Sequence, residues 1–165
     1  MQNLVPHYAN HSKYILCIGW NEWCALPELD IPYIKAKIDT GAKTSAMHAF
    51  DITTFTHKNK TFARFKVNPI KNNHTITREC SAELVDYRYV MSSNGHKEPR
   101  FVIRTSLILG SLTWNILITL TNRDPLQFRM LLGREALANK VIISPGRSCL
   151  LGKVTKSILA NCYST

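Results

Sequence analysis

A carboxylate stands on a tight turn at the end of an apolar strand, in Ile38-Asp39-Thr40-Gly41-Ala42. It is answered far downstream by Met130-Leu131-Leu132-Gly133-Arg134. The second segment supplies large apolar residues suited to packing beneath the aspartate loop, and Gly133 permits a sharp exit into Arg134-Glu135-Ala136-Leu137-Ala138, which reads as a short helix. Gly41 lets a backbone approach the carboxylate without a Cβ in the way, and the Thr40 hydroxyl can bond a neighbouring main chain. A fold that uses both segments has to bring the ends of a long, β-rich intervening chain together.

Asp-Thr-Gly is also a turn signature, so context has to decide its meaning. The chemistry available to a carboxylate at such a turn is water activation, which at mild pH needs one ionised carboxyl beside a second that holds a proton. Two close carboxyls meet that need, because like charges do not both ionise cheaply. Asp30, Asp51, Asp86 and Asp124 do not repeat the pattern. A working pair therefore requires a second copy of the chain, with Asp39 meeting its own counterpart across a twofold axis.

The chain resembles the retropepsin-like family that carries the label "ATP-dependent zinc protease". The resemblance rests on Gly19-Trp20-Asn21-Glu22-Trp23 with Leu26-Pro27-Glu28-Leu29. It continues through Ile34 to Ala49, including Asp39-Thr40-Gly41-Ala42-Lys43-Thr44-Ser45-Ala46-Met47-His48, and ends with Leu120-Thr121-Asn122-Arg123 and Met130-Leu131-Leu132-Gly133-Arg134. The resemblance implies an all-β, single-lobed acid-protease barrel with one short helix after the Leu-Leu-Gly element. It implies a homodimeric aspartic peptidase in which Asp39 is the catalytic carboxylate and Thr40, Gly41 and Ala42 form its supporting loop. Thr44, Ser45, His48, Leu132 and Gly133 are expected around that loop, with Arg134 as a substrate-binding candidate. Retropepsins often carry an acid at the position of Lys43, where it binds substrate backbone and pairs with the arginine matching Arg134. Lys43 removes that ion pair.

Zinc and ATP find little support in the residues. There is no His-Glu-x-x-His, no Cys-x-x-Cys and no phosphate-binding Gly-x-x-x-x-Gly-Lys loop, and Cys17, Cys24, Cys80, Cys149 and Cys162 are scattered without ligand spacing. No metal and no cofactor are expected, and His48 is the one histidine near Asp39. An ATP requirement would have to come from a partner, such as the glutamate ligases beside which this family is often encoded. Unpatterned cysteines favour a reducing compartment. The first residues lack a basic region followed by an apolar core, and Ile15 to Trp20 is too short to span a bilayer, so a cytoplasmic protein without membrane association is expected.

A formal charge of +10 biases encounters toward anionic partners. If Ile34 to Ile38 is extended, Lys35 and Lys37 project to the same side as Asp39, and Lys43 follows the turn. With Arg134, these lysines are the substrate-binding candidates, and acidic, Glu-rich peptide tails are the substrate they would favour. Basic residues interleaved with aromatics over Lys60 to Lys66 also suit stacking plus phosphate contacts, yet nucleic acid is not the expected partner. The alternative function is a non-catalytic module whose basic cleft holds an acidic peptide or nucleic acid. Fold alone does not separate the two.

At 165 residues, 45% of them hydrophobic, the chain is expected to form one domain, with its core over about residues 14–152 and peripheral termini. Strands are expected over 14–18, 31–38, 45–50, 61–67, 79–90, 100–109, 113–121, 128–132 and 141–143. Turns are expected at Lys58-Asn59, Ser93-Asn94-Gly95, Gly110-Ser111 and Arg123-Asp124-Pro125. Ser92 to His96 is a candidate flap tip that could close over substrate, and the Lys58-Asn59 hairpin is its competitor. Phe62, Phe65, Phe101, Trp114 and Phe128 are expected in the core, and Trp20 and Trp23 over one end of the barrel.

Overall fold

The computed structural model describes residues 15–92 and 94–164. Strand β1 (Leu16–Gly19) is followed by β2 (Asn21–Leu26), a 3-10 turn (Pro27–Leu29), β3 (Ile31–Ile38), β4 (Ser45–His48), β5 (Phe50–His57), β6 (Lys60–Val67) and β7 (Arg78–Met91). Then come β8 (Lys97–Leu109), β9 (Leu112–Thr121), β10 (Met130–Leu132), helix α1 (Arg134–Leu137), β11 (Val141–Ser144) and helix α2 (Lys156–Tyr163). Apart from the parallel pair β1 and β11, the strands form one nine-stranded sheet in the order β2-β3-β10-β4-β9-β8-β7-β6-β5. An added pairing of Ala25 with Ile108 joins β2 to β8, so the strands from β2 to β8 close on themselves and β7, β6 and β5 extend outward. The all-β barrel expected from the sequence is thus observed, with α1 directly after Leu131-Leu132-Gly133.

Alternation explains the core. Ile31, Ile34, Ala36 and Ile38 of β3 are buried with Ile103, Leu107 and Leu109 of β8, Ile116, Ile118 and Leu120 of β9, and Met130 and Leu132 of β10. Of the five aromatics expected inside, Phe65 is fully buried, whereas Phe101 and Trp114 pack against the core from its margin. Phe62 instead stacks on Phe55, and Phe128 meets Trp20 edge-on.

Several segments depart from the sequence expectation. The strand expected over 45–50 is broken at Ala49, whose N–H bonds Thr121 O, and the chain then turns through Asp51 at φ 52° into the polar strand β5. Seven of the eight β5 residues are Thr, Asp, His or Phe rather than aliphatic, so no clean alternation marked it. β2 was hidden because its buried positions include Asn21 and Glu22. β10 starts only at Met130, since Phe128 spends its carbonyl on Arg123 Nε at 3.1 Å. A second helix, α2, joins the one expected. Thr155 caps it by accepting from Ile158 N at 3.2 Å, and the Tyr163 hydroxyl donates to the Tyr33 carbonyl at 2.5 Å. Residues 14 and 93, at the start of the first expected strand and in the candidate flap tip, lie outside the described residues.

Glu22 ties the two ends of the fold together. Its side chain is fully buried, and it accepts from Gly19 N at 2.7 Å and Leu150 N at 2.9 Å through Oε1, and from Leu151 N at 3.2 Å through Oε2. Main-chain donors substitute here for the water that a carboxylate would otherwise hold. In Glu22→Gln the amide faces Leu151 N–H with a donor instead of an acceptor. The variant should lose on the order of 2 kcal/mol of stability, read as a lower urea midpoint at unchanged slope.

Candidate functional site

β10 lies between β3, to which it runs parallel, and β4, to which it runs antiparallel, with Leu132 opposite Ile38 and Leu131 opposite Ala46. This places Leu132 and Gly133 under the loop that follows β3. Asp39 N donates to Leu132 O at 2.9 Å, and Ala42 N closes the turn on Asp39 O at 3.2 Å. Gly133 N donates to Ser45 Oγ at 3.1 Å, and Thr119 Oγ1 donates to Ser45 O at the same distance. A Cβ at Gly133 would stand 2.7 Å from the Thr44 carbonyl carbon, so the strand exit fits only glycine without displacing the loop.

The carboxylate itself is half-buried. Gly41 N donates to Asp39 Oδ1 at 3.1 Å, and a Cβ on Gly41 would lie 3.2 Å from that oxygen. The loop thus offers Asp39 a main-chain donor while keeping its approach clear. Thr40 and Gly41 are exposed.

Arg134 anchors the turn from below. Its Nη1 donates to Thr40 O at 2.9 Å and Gly41 O at 3.0 Å, while Arg134 N reaches Ala42 O at 2.8 Å. The guanidinium is occupied by the loop's own carbonyls. Lys43, in place of the acid usual in retropepsins, is exposed and pairs with Glu135 at 3.8 Å, and Thr44 Oγ1 donates to the same carboxylate at 3.4 Å. The arginine keeps its place by bonding the backbone, and the acid has moved to the residue after it.

The other lysines are dispersed. Lys37 is exposed on β3, two residues before Asp39. Lys35 is four residues before it, about 13 Å along an extended strand, and its ammonium lies 5.6 Å from the centre of the Trp23 ring. Lys35 is therefore committed to a cation–π contact beside β2.

His48 ends β4 in a buried position, and its Nδ1 accepts from Arg123 N at 3.1 Å. That bond fixes the neutral tautomer with the proton on Nε2. Among the described residues no three His, Cys, Asp or Glu side chains stand close enough to hold a metal ion. The charged or titratable groups that act on His48 are Arg129, Asp124, His74 and Lys71, and the two fixed cations among them work against a zinc ion there.

Sequence reasoning quoted Arg123 for the resemblance and gave it no role at the site. The structure buries it to 8% exposure, holds its Nε on Phe128 O, and sets Phe128 against Trp20, whose carbonyl accepts from Ile38 N, the residue before Asp39. Burial and the like charge of Arg100 weaken the hold of Arg123 on its proton, and Asp39 opposes them. Arg100 in turn places Nε and Nη2 at 2.5 Å from Glu98 Oε1, which also accepts from Thr121 Oγ1 at 2.7 Å. The Thr121 hydroxyl, and then Arg100, keep Glu98 below the usual carboxylate range despite partial burial. The signal that could have found Arg123 is its place directly after a buried strand, where an unpaired arginine is costly.

A family model described as RimB-like, "Retropepsin-like aspartic endopeptidase RimB", matches residues 17–153. A "Probable alpha-L-glutamate ligase" of Desulfotalea psychrophila is 46% identical over 147 residues, covering 89% of this chain and 32% of that protein. One of the same name from Shewanella pealeana is 45% identical over 142 residues, covering 86% and 31%. The chain thus spans about a third of the length of the curated relatives it matches. A crystal structure of a Legionella pneumophila protein of unknown function, Lpg0085, is 27% identical with a TM-score of 0.69, covering 82% of this chain and 98% of that one.

Desolvation, followed by the charge of Arg129, depresses His48 below its ordinary value of 6.5, with Asp124 opposing and His74 and Lys71 adding to the depression. The unfolded chain then takes up this proton before the folded one does. The stability contributed by neutral His48 is present above the unfolded value and is lost as pH falls below it. His48→Asn keeps an acceptor for Arg123 N–H and removes the titration. Its stability should fall less steeply than that of the wild type between about pH 6.5 and 5, measured by urea unfolding at each pH.

Proposed function

The chain belongs to the RimB-like family of retropepsin-like aspartic endopeptidases, and from that premise we propose that it is a homodimeric aspartic peptidase. One observation carries the reading. The Asp39 loop is bonded from below by Leu132 and Arg134, while Asp39 is only half-buried and Thr40 and Gly41 are exposed. A rigid carboxylate displayed at a surface is half of a dyad, and a twofold partner presenting the same loop completes it.

In the dimer the two Asp39 carboxyls share one proton. The ionised carboxyl takes a proton from water as that water attacks the peptide carbonyl. The protonated one hydrogen-bonds the carbonyl oxygen, and the departing amine receives a proton from the pair. Gly41 N–H holds one Asp39 oxygen in place, so little rearrangement is needed when charge develops. The hairpin of β7 and β8 is the flap, since its arm next to the turn carries Glu98 and Arg100, and Arg100 acts on Arg123. No helix among the described residues is long and apolar enough to cross a membrane.

Acidic, Glu-rich peptide is the substrate class. The formal charge of +10 favours it. The names of the relatives favour it also, since a stretch similar to this chain makes up about a third of proteins called glutamate ligases. A peptidase for glutamate-rich tails would act on material of the kind that such a ligase makes.

The test is cleavage of a Glu-rich peptide pool with chelator present, with sedimentation on the same samples. The wild type should cut, its activity should track the dimer, and Asp39→Asn should lose about 10²-fold or more. Cleavage that disappears with chelator alone would return the reading to a metal. A stable monomer that binds these peptides without cutting them would establish the basic binding module instead.

A further inference from the structure

Arg123 is a guanidinium whose terminal nitrogens have no hydrogen bond to any described residue. Its main-chain N–H donates to His48 Nδ1 and its Nε to Phe128 O. Among the described residues the fully enclosed side-chain atoms without a partner are Thr105 Oγ1 and Arg129 Nε, so the Arg123 fork, in a residue only 8% exposed, still has a face that a carboxylate can reach. Arg129, the other buried arginine of the same loop, differs in having Asp124 at 2.6 Å from Nη1. Arg100 differs too, being neutralised by Glu98.

The position of Arg123 is defined by three contacts. His48 fixes its backbone at the end of β4, Phe128 fixes its side chain, and the Phe128 ring leans on Trp20 at 5.7 Å, next to the last pair of β3 before Asp39. The arm of β8 next to the hairpin turn carries Glu98 and Arg100, paired with Val90 and Arg88, and the Arg100 charge acts on Arg123. Asp39 and Arg100 both act on the Arg123 charge, so the guanidinium lies within electrostatic reach of the catalytic loop and of that hairpin arm.

We propose that Arg123 is the receptor for an acidic side chain of the substrate beside the bond cut at Asp39, with Arg100 behind it. This rests on the peptidase reading and assigns its specificity to one residue. A planar fork grips a carboxylate bidentately, which a glutamine side chain cannot match. Glu98 is already engaged by Arg100 and Thr121, so it does not compete for the Arg123 fork. Asp39 shares its charge with its dimer counterpart through the common proton, which leaves the cation short of a full partner. Lys35, bound over Trp23, and Lys43, paired with Glu135, are less available for this contact.

The experiment uses a poly-glutamate peptide and a set in which each Glu in turn is replaced by Gln, with cleavage positions mapped by mass spectrometry. For the wild type, one position near the cut should show a Glu-over-Gln preference in kcat/KM of roughly tenfold to hundredfold. In Arg123→Gln, shown to be folded and dimeric by circular dichroism and sedimentation, that ratio should fall toward one at that position and hold elsewhere. Arg123→Lys should keep part of it. A ratio unchanged in Arg123→Gln overturns the proposal, as does an equal loss for Glu and Gln peptides, which would make Arg123 a partner of Asp39 instead. If the wild type cuts none of the peptides, the peptidase reading has failed separately. Fluorescence anisotropy of the same peptides on wild type and Arg123→Gln then reads the ratio as binding, and a ratio that does not depend on Arg123 sinks the proposal.

Discussion

The structure turns on β10 being threaded between β3 and β4. Without that strand, the Asp39 turn would have no floor, because Leu132 O and the Gly133 main chain are what its loop and Ser45 bond. The arrangement joins a parallel and an antiparallel pairing in three residues. Such a junction tolerates little side-chain volume at its exit, and the 2.7 Å clearance at Gly133 is the local expression of that constraint. Arg134 then completes the support, since the residue that leaves the strand is also the one that reaches back to the Thr40 and Gly41 carbonyls.

Charge is distributed around this floor in a graded way. Arg134 is consumed by backbone, Lys43 by Glu135, Lys35 by an indole, Arg100 by Glu98 and Arg129 by Asp124. The surplus that the sequence shows as +10 is therefore not spread evenly over the surface. Most exposed ion pairs of this kind contribute little to stability. Their effect here is on availability, because each acid withdraws one cation from the set that could meet an anionic ligand.

The sequence made the floor of the site legible because its chemistry lies in contiguous residues: Asp39-Thr40-Gly41 and Leu131-Leu132-Gly133 each read as one turn or one strand. β3, β8 and β9 were legible through alternation, and their boundaries fell close to the expected ones. Three things were not legible. β2 looks polar because Asn21 and Glu22 are buried, Asn21 bonding Cys149 and Glu22 accepting from Leu150 and Leu151 as well as from Gly19. β5 looks like a loop because it is an outer strand with mostly exposed side chains. Arg123 looks like a surface residue because the groups that enclose it, His48 and Phe128, come from other positions in the chain. In each case the missing information was a long-range partner, which local pattern does not carry.

The parallel pairing of β1 with β11 has a consequence for how the protein comes into being. Leu16–Gly19 and Val141–Ser144 are partners, and nearly the whole described chain lies between them. The same is true of Glu22 and its donors at Leu150 and Leu151. During synthesis β1 has no partner in the structure until β11, more than a hundred residues later, is made. Its apolar residues must wait while the hairpins of β5 to β9, joined by short local turns, form ahead of it. The barrel closes through β2 and β8 without this pair, and a nascent chain stalled before Val141 would hold a folded barrel with β1 unpaired beside it, ready to pair with the wrong neighbour.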